Sequence, residues 1–150
     1  MSLSWKSNFI STEFRIFRGK VIAGILRTSS WKNEGYGELD GNLLRFKTKG
    51  FLQKITEIRD IEGEKVLGQI QFHFMSSSAT ITYDHIDYNW KFASWSMRKW
   101  NVSNGNAHAA FKKTGFWQKE GEIEDQEIPP AVILASLYAH IHFRKVAAAA

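Results

Sequence analysis

The sequence predicts a mainly β protein, a closed antiparallel β-barrel of about twelve strands enclosing one hydrophobic C-terminal α-helix. Three observations carry this expectation. Apolar and polar residues alternate in short runs through most of the chain, turn-forming residues recur at short intervals with no proline before Pro129, and the last segment is apolar on every helical face.

The clearest strand is Val66 to Phe74, where Val66, Gly68, Ile70, Phe72 and Phe74 share one face and Leu67, Gln69, Gln71 and His73 the other. Phe14–Phe17, Leu44–Lys49, Ala79–Tyr83 and Tyr88–Phe92 repeat the pattern. Lys20–Arg27, Thr56–Asp60, Lys99–Ser103, Ala107–Lys112 and Phe116–Glu122 are further candidates. Between them stand turn signals: Asn33-Glu34-Gly35, Asp40-Gly41, Lys49-Gly50, Ile61 to Glu64, Asn104-Gly105 and Thr114-Gly115. Asp40-Gly41 and Asn104-Gly105 are the strongest hairpin turns. Ser76-Ser77-Ser78 reads as a hairpin loop and lacks the glycine setting of a nucleophile elbow.

The closing segment reads as one helix over residues 129–146. Pro129 and Pro130 suit a first helical turn, and Arg144 and Lys145 suit a last one. Leu134, Tyr138 and Ile141 project to one face, Ile133 and Leu137 to a second, and Val132, Ala135, Ala139 and Phe143 to a third, so no side is left for water. A membrane span needs about 20 apolar residues. The run from Ala131 to Phe143 is shorter and is broken by Ser136, His140 and His142, so protein and not lipid is expected to enclose it. A helix is about 10–12 Å wide with its side chains, which a sheet of about eleven or twelve strands accommodates. The four alanines that close the chain are set aside.

The chain has the length of one domain, 150 residues, and its 43% apolar content supplies a real core. No Pro/Ser-rich linker divides it. The absence of cysteine excludes disulfides, thiolate metal sites and thiol catalysis. With no apolar segment near the N-terminus, a cytoplasmic location, peripheral to membrane at most, is expected.

Catalytic and metal motifs do not emerge. His73, His85, His108, His140 and His142 form no i, i+4 pair, and His140 and His142 diverge by about 200° on a helix; they read as helix-end polarity where the core meets solvent. The carboxylates Glu34, Glu38, Asp40, Glu57, Asp60, Asp84 and Asp87 mostly flank turns, where they serve the backbone. No phosphate-binding glycine loop occurs, and no cofactor is expected.

A formal charge of +5 draws attention to basic clusters instead. Arg45, Lys47 and Lys49 fall on one face of a strand, opposite Leu44, Phe46 and Thr48, and present about 14 Å of positive surface. Lys112, Lys113 and Lys119 form a second cluster across the Gly115 turn, with Phe116-Trp117 at its tip. An aromatic and basic tip suits a membrane interface, although such rings more often pack inward.

Several segments resemble the tubby C-terminal-like fold of tubby-like proteins, LURP-one-related proteins and phospholipid scramblases. They are Val21 to Leu26, Asn42 to Lys47, the run from Ile58 to Ile70 with its I-x-D-x-x-G-x-x-x-G-x-I pattern, and the terminal apolar helix. The resemblance implies a barrel of about twelve strands threaded by the helix. It also implies an anionic ligand of the phosphoinositide type. Unlike scramblases the chain has no cysteine cluster, which argues against lipid scrambling. The expected function is a non-enzymatic module for an anionic phospholipid headgroup or a protein partner at a membrane surface. A small-ligand carrier or an enzyme with its site at the barrel mouth is the alternative. Nucleic-acid binding ranks last, for want of a recognised motif.

Overall fold

The computed structural model describes residues 2–29, 32–50 and 52–149. Twelve strands follow one another in an up-and-down order: β1 (Ser2–Ser7), β2 (Glu13–Arg18), β3 (Val21–Thr28), β4 (Glu34–Leu39), β5 (Asn42–Lys49), β6 (Ile55–Asp60), β7 (Val66–His73), β8 (Ser78–Tyr83), β9 (Ile86–Phe92), β10 (Lys99–Ser103), β11 (His108–Thr114) and β12 (Glu120–Gln126). Each pairs antiparallel with the next, and β1 pairs with β12 to close the barrel. A helix, α1 (Pro130–Ala149), follows β12. Ala150 lies outside the described residues.

The helix fills the barrel. Every residue from Ala131 to His140 is buried, as are His142 and Phe143. Residues of alternate strand positions meet it, among them Leu26, Leu39, Phe46, Ile58, Ile81, Trp90 and Trp100, all at most 1% exposed. Ser136 in the middle of the helix is paired: its Oγ donates to the Val132 carbonyl, and Trp90 Nε1 donates to the Ser136 carbonyl. Tyr138 stacks on Phe46 and donates to the Asn33 carbonyl, while its oxygen meets Thr48 Oγ1 at 2.9 Å. The helix lies against β4 because the inward positions of that strand begin with Gly35 and Gly37; a Cβ on Gly37 would stand 3.1 Å from Leu134 Cδ2.

Those same glycines explain one correction. Asn33-Glu34-Gly35 reads as a turn in sequence, yet β4 starts at Glu34, since its glycines serve close approach of the helix and not chain reversal. The N-terminal β1, not expected from the alternation, pairs on both edges and closes the barrel. The candidate strand Phe116–Glu122 begins only at Glu120, because residues 115–119 form the β11–β12 turn. In β7 a register shift opposite Ile58/Arg59 breaks the expected face: Val66 is exposed and Leu67 packs on the core. His140 and His142, read as helix-end polarity at the solvent boundary, are 4% and 2% exposed and belong to the interior.

The hairpin carrying the I-x-D-x-x-G pattern has a structural account. Asp60 Oδ1 accepts from the amides of Glu64 and Lys65 across the β6–β7 turn. Gly68 passes so close to β8 that a Cβ would collide with the Thr82 carbonyl.

Candidate anion-binding site at the barrel mouth

Because β12 delivers the chain into α1, the helix enters at one end of the barrel and leaves at the other. The exit is fixed by the β5–β6 and β3–β4 connections: His142 Nε2 donates to the Gln53 carbonyl at 3.0 Å, and Lys145 Nζ donates to Ser29 O and Asn33 Oδ1. At this mouth lies a cavity of about 540 Å³. Its size falls within the range of small-ligand sites.

Three elements build it. From β11, the alternation that buries Ala109 and Phe111 carries Lys113 inward at the last position before the turn. Gly121 of β12 stands opposite both Lys113 and Trp5, and its missing side chain leaves the space that the Trp5 ring occupies. From α1, Leu137, His140, Ile141, Arg144 and Lys145 present one face to the cavity at helical spacing. Trp100 and Trp117 complete the aromatic lining, and Lys119 reaches the rim, where its Nζ donates to Ser11 Oγ at 2.9 Å.

The site's electrostatics are one-sided. Lys113, Lys119, Arg144 and Lys145 line the cavity, and no carboxylate joins them among the described residues. Lys113 is only 8% exposed, and its side chain has no hydrogen-bond or ion-pair partner among the described residues. Burial, followed by repulsion from Arg144, Lys119 and Arg98, pushes its pKa down to about 8. Burial also lowers the pKa of Lys145.

His140 lies flat on Trp100, with ring centroids 4.0 Å apart. Burial, with Lys113 and Arg144 nearby, holds its pKa well below the usual histidine value, so the ring is neutral. Its bond to the Met97 backbone uses one nitrogen; Nε2 remains buried without a partner, as does Trp100 Nε1. The cavity therefore offers cations for an anion, and two of its lining rings each carry a buried nitrogen without a partner. Among the described residues, no cluster of three His, Asp or Glu side chains is placed to hold a metal ion.

The basic residues singled out in the sequence separate into two groups. Arg45, Lys47 and Lys49 lie on the outer wall of β5, as their spacing predicts. Their charge is interleaved with acid: Lys49 pairs with Glu57 at 2.9 Å, Lys47 stands in register between Glu34 and Glu57, and the Arg45 guanidinium donates to the Ile61 carbonyl. Lys112 faces outward opposite Lys99 and Glu122. Only Lys113 and Lys119 enter the cavity. Strand alternation separates the two neighbours, sending Lys112 outward and Lys113 inward.

Arg144, Lys145 and His140 were visible only as helix-end residues. Nothing in a single sequence signals that this helix end opens beside β11. No family model, curated protein or solved structure matches the chain.

Proposed function

We propose that this protein is a non-enzymatic binding module whose mouth cavity takes a phosphate-bearing anion, the headgroup of an anionic phospholipid. One observation carries the reading: Lys113 is a mostly buried residue whose ammonium has no partner among the described residues, in a cavity whose described charged lining is entirely basic. An unpaired buried charge is costly to a fold, and a bound anion would remove that cost. His140 Nε2 and Trp100 Nε1 suit the hydroxyl and phosphate oxygens of a polyol phosphate. The resemblance to the tubby C-terminal-like fold supplies the same ligand class, and we propose membership of that superfamily on the barrel-and-helix architecture.

A second reading is a carrier of a small amphipathic anion, favoured by the aromatic lining from Trp5 and Trp100. The helix occupies the barrel interior, so any carried molecule is confined to the mouth. Titration of tryptophan fluorescence with glycerol 3-phosphate, inositol phosphates and a short-chain fatty acid tests both. Saturable binding of the phosphates, lost in Lys113→Met, supports the headgroup reading; binding of the fatty acid alone supports the carrier.

A further inference from the structure

The two ends of the barrel differ in kind. Six connections surround the cavity mouth: residues 8–12, 29–33, 50–54, 74–77, 93–98 and 115–119. In sequence, each contains at least one aromatic residue, and together they contain no Asp or Glu. Their charged residues are Lys32, Lys54, Arg98 and Lys119. The connections of the opposite end, residues 19–20, 40–41, 61–65, 84–85, 104–107 and 127–129, contain no aromatic residue. They carry Asp40, Glu62, Glu64, Asp84 and Glu127 against Lys20 and Lys65.

Phe74 and Met97 pack on the core, but most apolar residues of the mouth connections do not turn inward. Phe9, Met75, Trp95 and Phe116 are 88%, 105%, 97% and 87% exposed, and Ile10, Leu52 and Trp117 are exposed beside them. Trp31 and Phe51, in two of the same connections, lie outside the described residues. Among the described residues, no ion pair engages the four loop cations or Arg144. The nearest acids open strands: Glu13, which pairs with Arg15 and Arg27, then Glu34 and Glu120.

We infer that this end docks on an anionic lipid bilayer, with the barrel axis roughly upright, the aromatic tips in the interface and the acidic end turned to water. Exposed aromatic tips with basic neighbours fit the headgroup layer, where amphipathic rings settle and cations meet anionic lipid. The charge asymmetry sets the orientation, since the opposite end is repelled by the same surface. The dock extends the pocket reading from ligand to surface and would place the cavity at headgroup depth, yet its most exposed residues, Phe9, Met75, Trp95 and Phe116, do not line the cavity.

The test uses the whole chain with vesicles of phosphatidylcholine alone or with phosphatidylglycerol, and a variant carrying Phe9→Ser, Met75→Ser, Trp95→Ser and Phe116→Ser. The parent is expected to bind anionic vesicles at least tenfold more tightly than neutral ones, with Trp95 and Trp117 quenched by lipids brominated on the acyl chain. The variant is expected to lose at least tenfold in vesicle affinity while glycerol 3-phosphate binding at the cavity is unchanged. Vesicle affinity within twofold of the parent, or no acyl-chain quenching, overturns the dock and leaves the pocket reading standing. Loss of glycerol 3-phosphate binding in the parent itself overturns the pocket reading alone. Self-association of the parent in ultracentrifugation that the variant abolishes, without vesicle binding, assigns the apolar end to a second copy and also overturns the dock.

Discussion

Gly37 of β4 and Leu134 of α1 occupy complementary volumes: a Cβ on the glycine would stand 3.1 Å from Leu134 Cδ2 and 3.3 Å from Cδ1. The leucine is fully buried. Leu134→Ala is expected to lower stability by about 2–5 kcal/mol, the usual range for a core cavity. Gly37→Ala is expected to destabilise as well, because the leucine must yield. The two should not add: in the Leu134→Ala background the extra methyl enters the vacated space, and its cost should vanish or reverse. Urea denaturation of the four-member cycle measures this, and simple additivity would mean that the helix does not lie against β4.

Lys113 links ligand binding to stability. Its folded pKa of about 8 lies below the ordinary 10.5, so between these values the unfolded chain holds the proton that the folded chain has released. Stability therefore rises with pH across that window and is lowest below about 8, where the buried cation persists. Lys113→Met should raise the denaturation midpoint at pH 7 and flatten the rise between pH 8 and 10.5. A Met variant with the parental pH dependence would show that the amine is not buried as charge.

Much of the barrel is legible from the sequence because strands buried on one face must alternate, and because a helix apolar all round requires enclosure. The failures share a cause: in each, a partner distant in sequence decides the local structure. Gly35 reads as a turn residue until the helix lies against it. Val66 reads as inward until β6 imposes the register shift. The site was less legible still, since Lys113, His140 and Arg144 meet only through closure of the barrel and the exit direction of its helix. Phe116 and Trp117, expected on balance to pack inward, are exposed at the mouth.

Acid should act on the buried histidines before it acts on carboxylates. Burial lowers the folded pKa of both His140 and His142 below 6.5, so neither charges in the native state when the unfolded chain does. Their stabilising neutrality is complete above pH 6.5 and is lost as pH falls through the folded values. Asp40 and Glu57, held below the usual carboxylate range by Arg18 and by Lys49 with Arg59, contribute their loss only at lower pH, beginning near 4.5. His140→Phe keeps a ring against Trp100 and should remove part of the decline between pH 6.5 and 5, leaving the lower limb in place. Thermal melts across pH 4 to 8 record both limbs, and an unchanged upper limb in this variant would exclude His140 as its source.

The outer strand and the mouth make opposite predictions for the same assay. Arg45, Lys47 and Lys49 are exposed and interleaved with Glu34 and Glu57, so their field is largely cancelled at close range. Lys113 faces a cavity without acid. Replacing the outer three with Gln should change glycerol 3-phosphate affinity less than twofold and stability little, since exposed ion pairs contribute at most about 1 kcal/mol. Lys113→Met should remove one charge-assisted hydrogen bond, worth about 1.5–3 kcal/mol, which is roughly a 10- to 150-fold loss of affinity. The ligand's hold on the parent should also weaken as pH rises through about 8, where Lys113 gives up its proton, and that dependence should be absent from the Met variant. Calorimetric titration at pH 7 and pH 9 reads the parent and both variants together. A large loss in the outer-strand variant with Lys113→Met unaffected would move the anion site to the barrel wall.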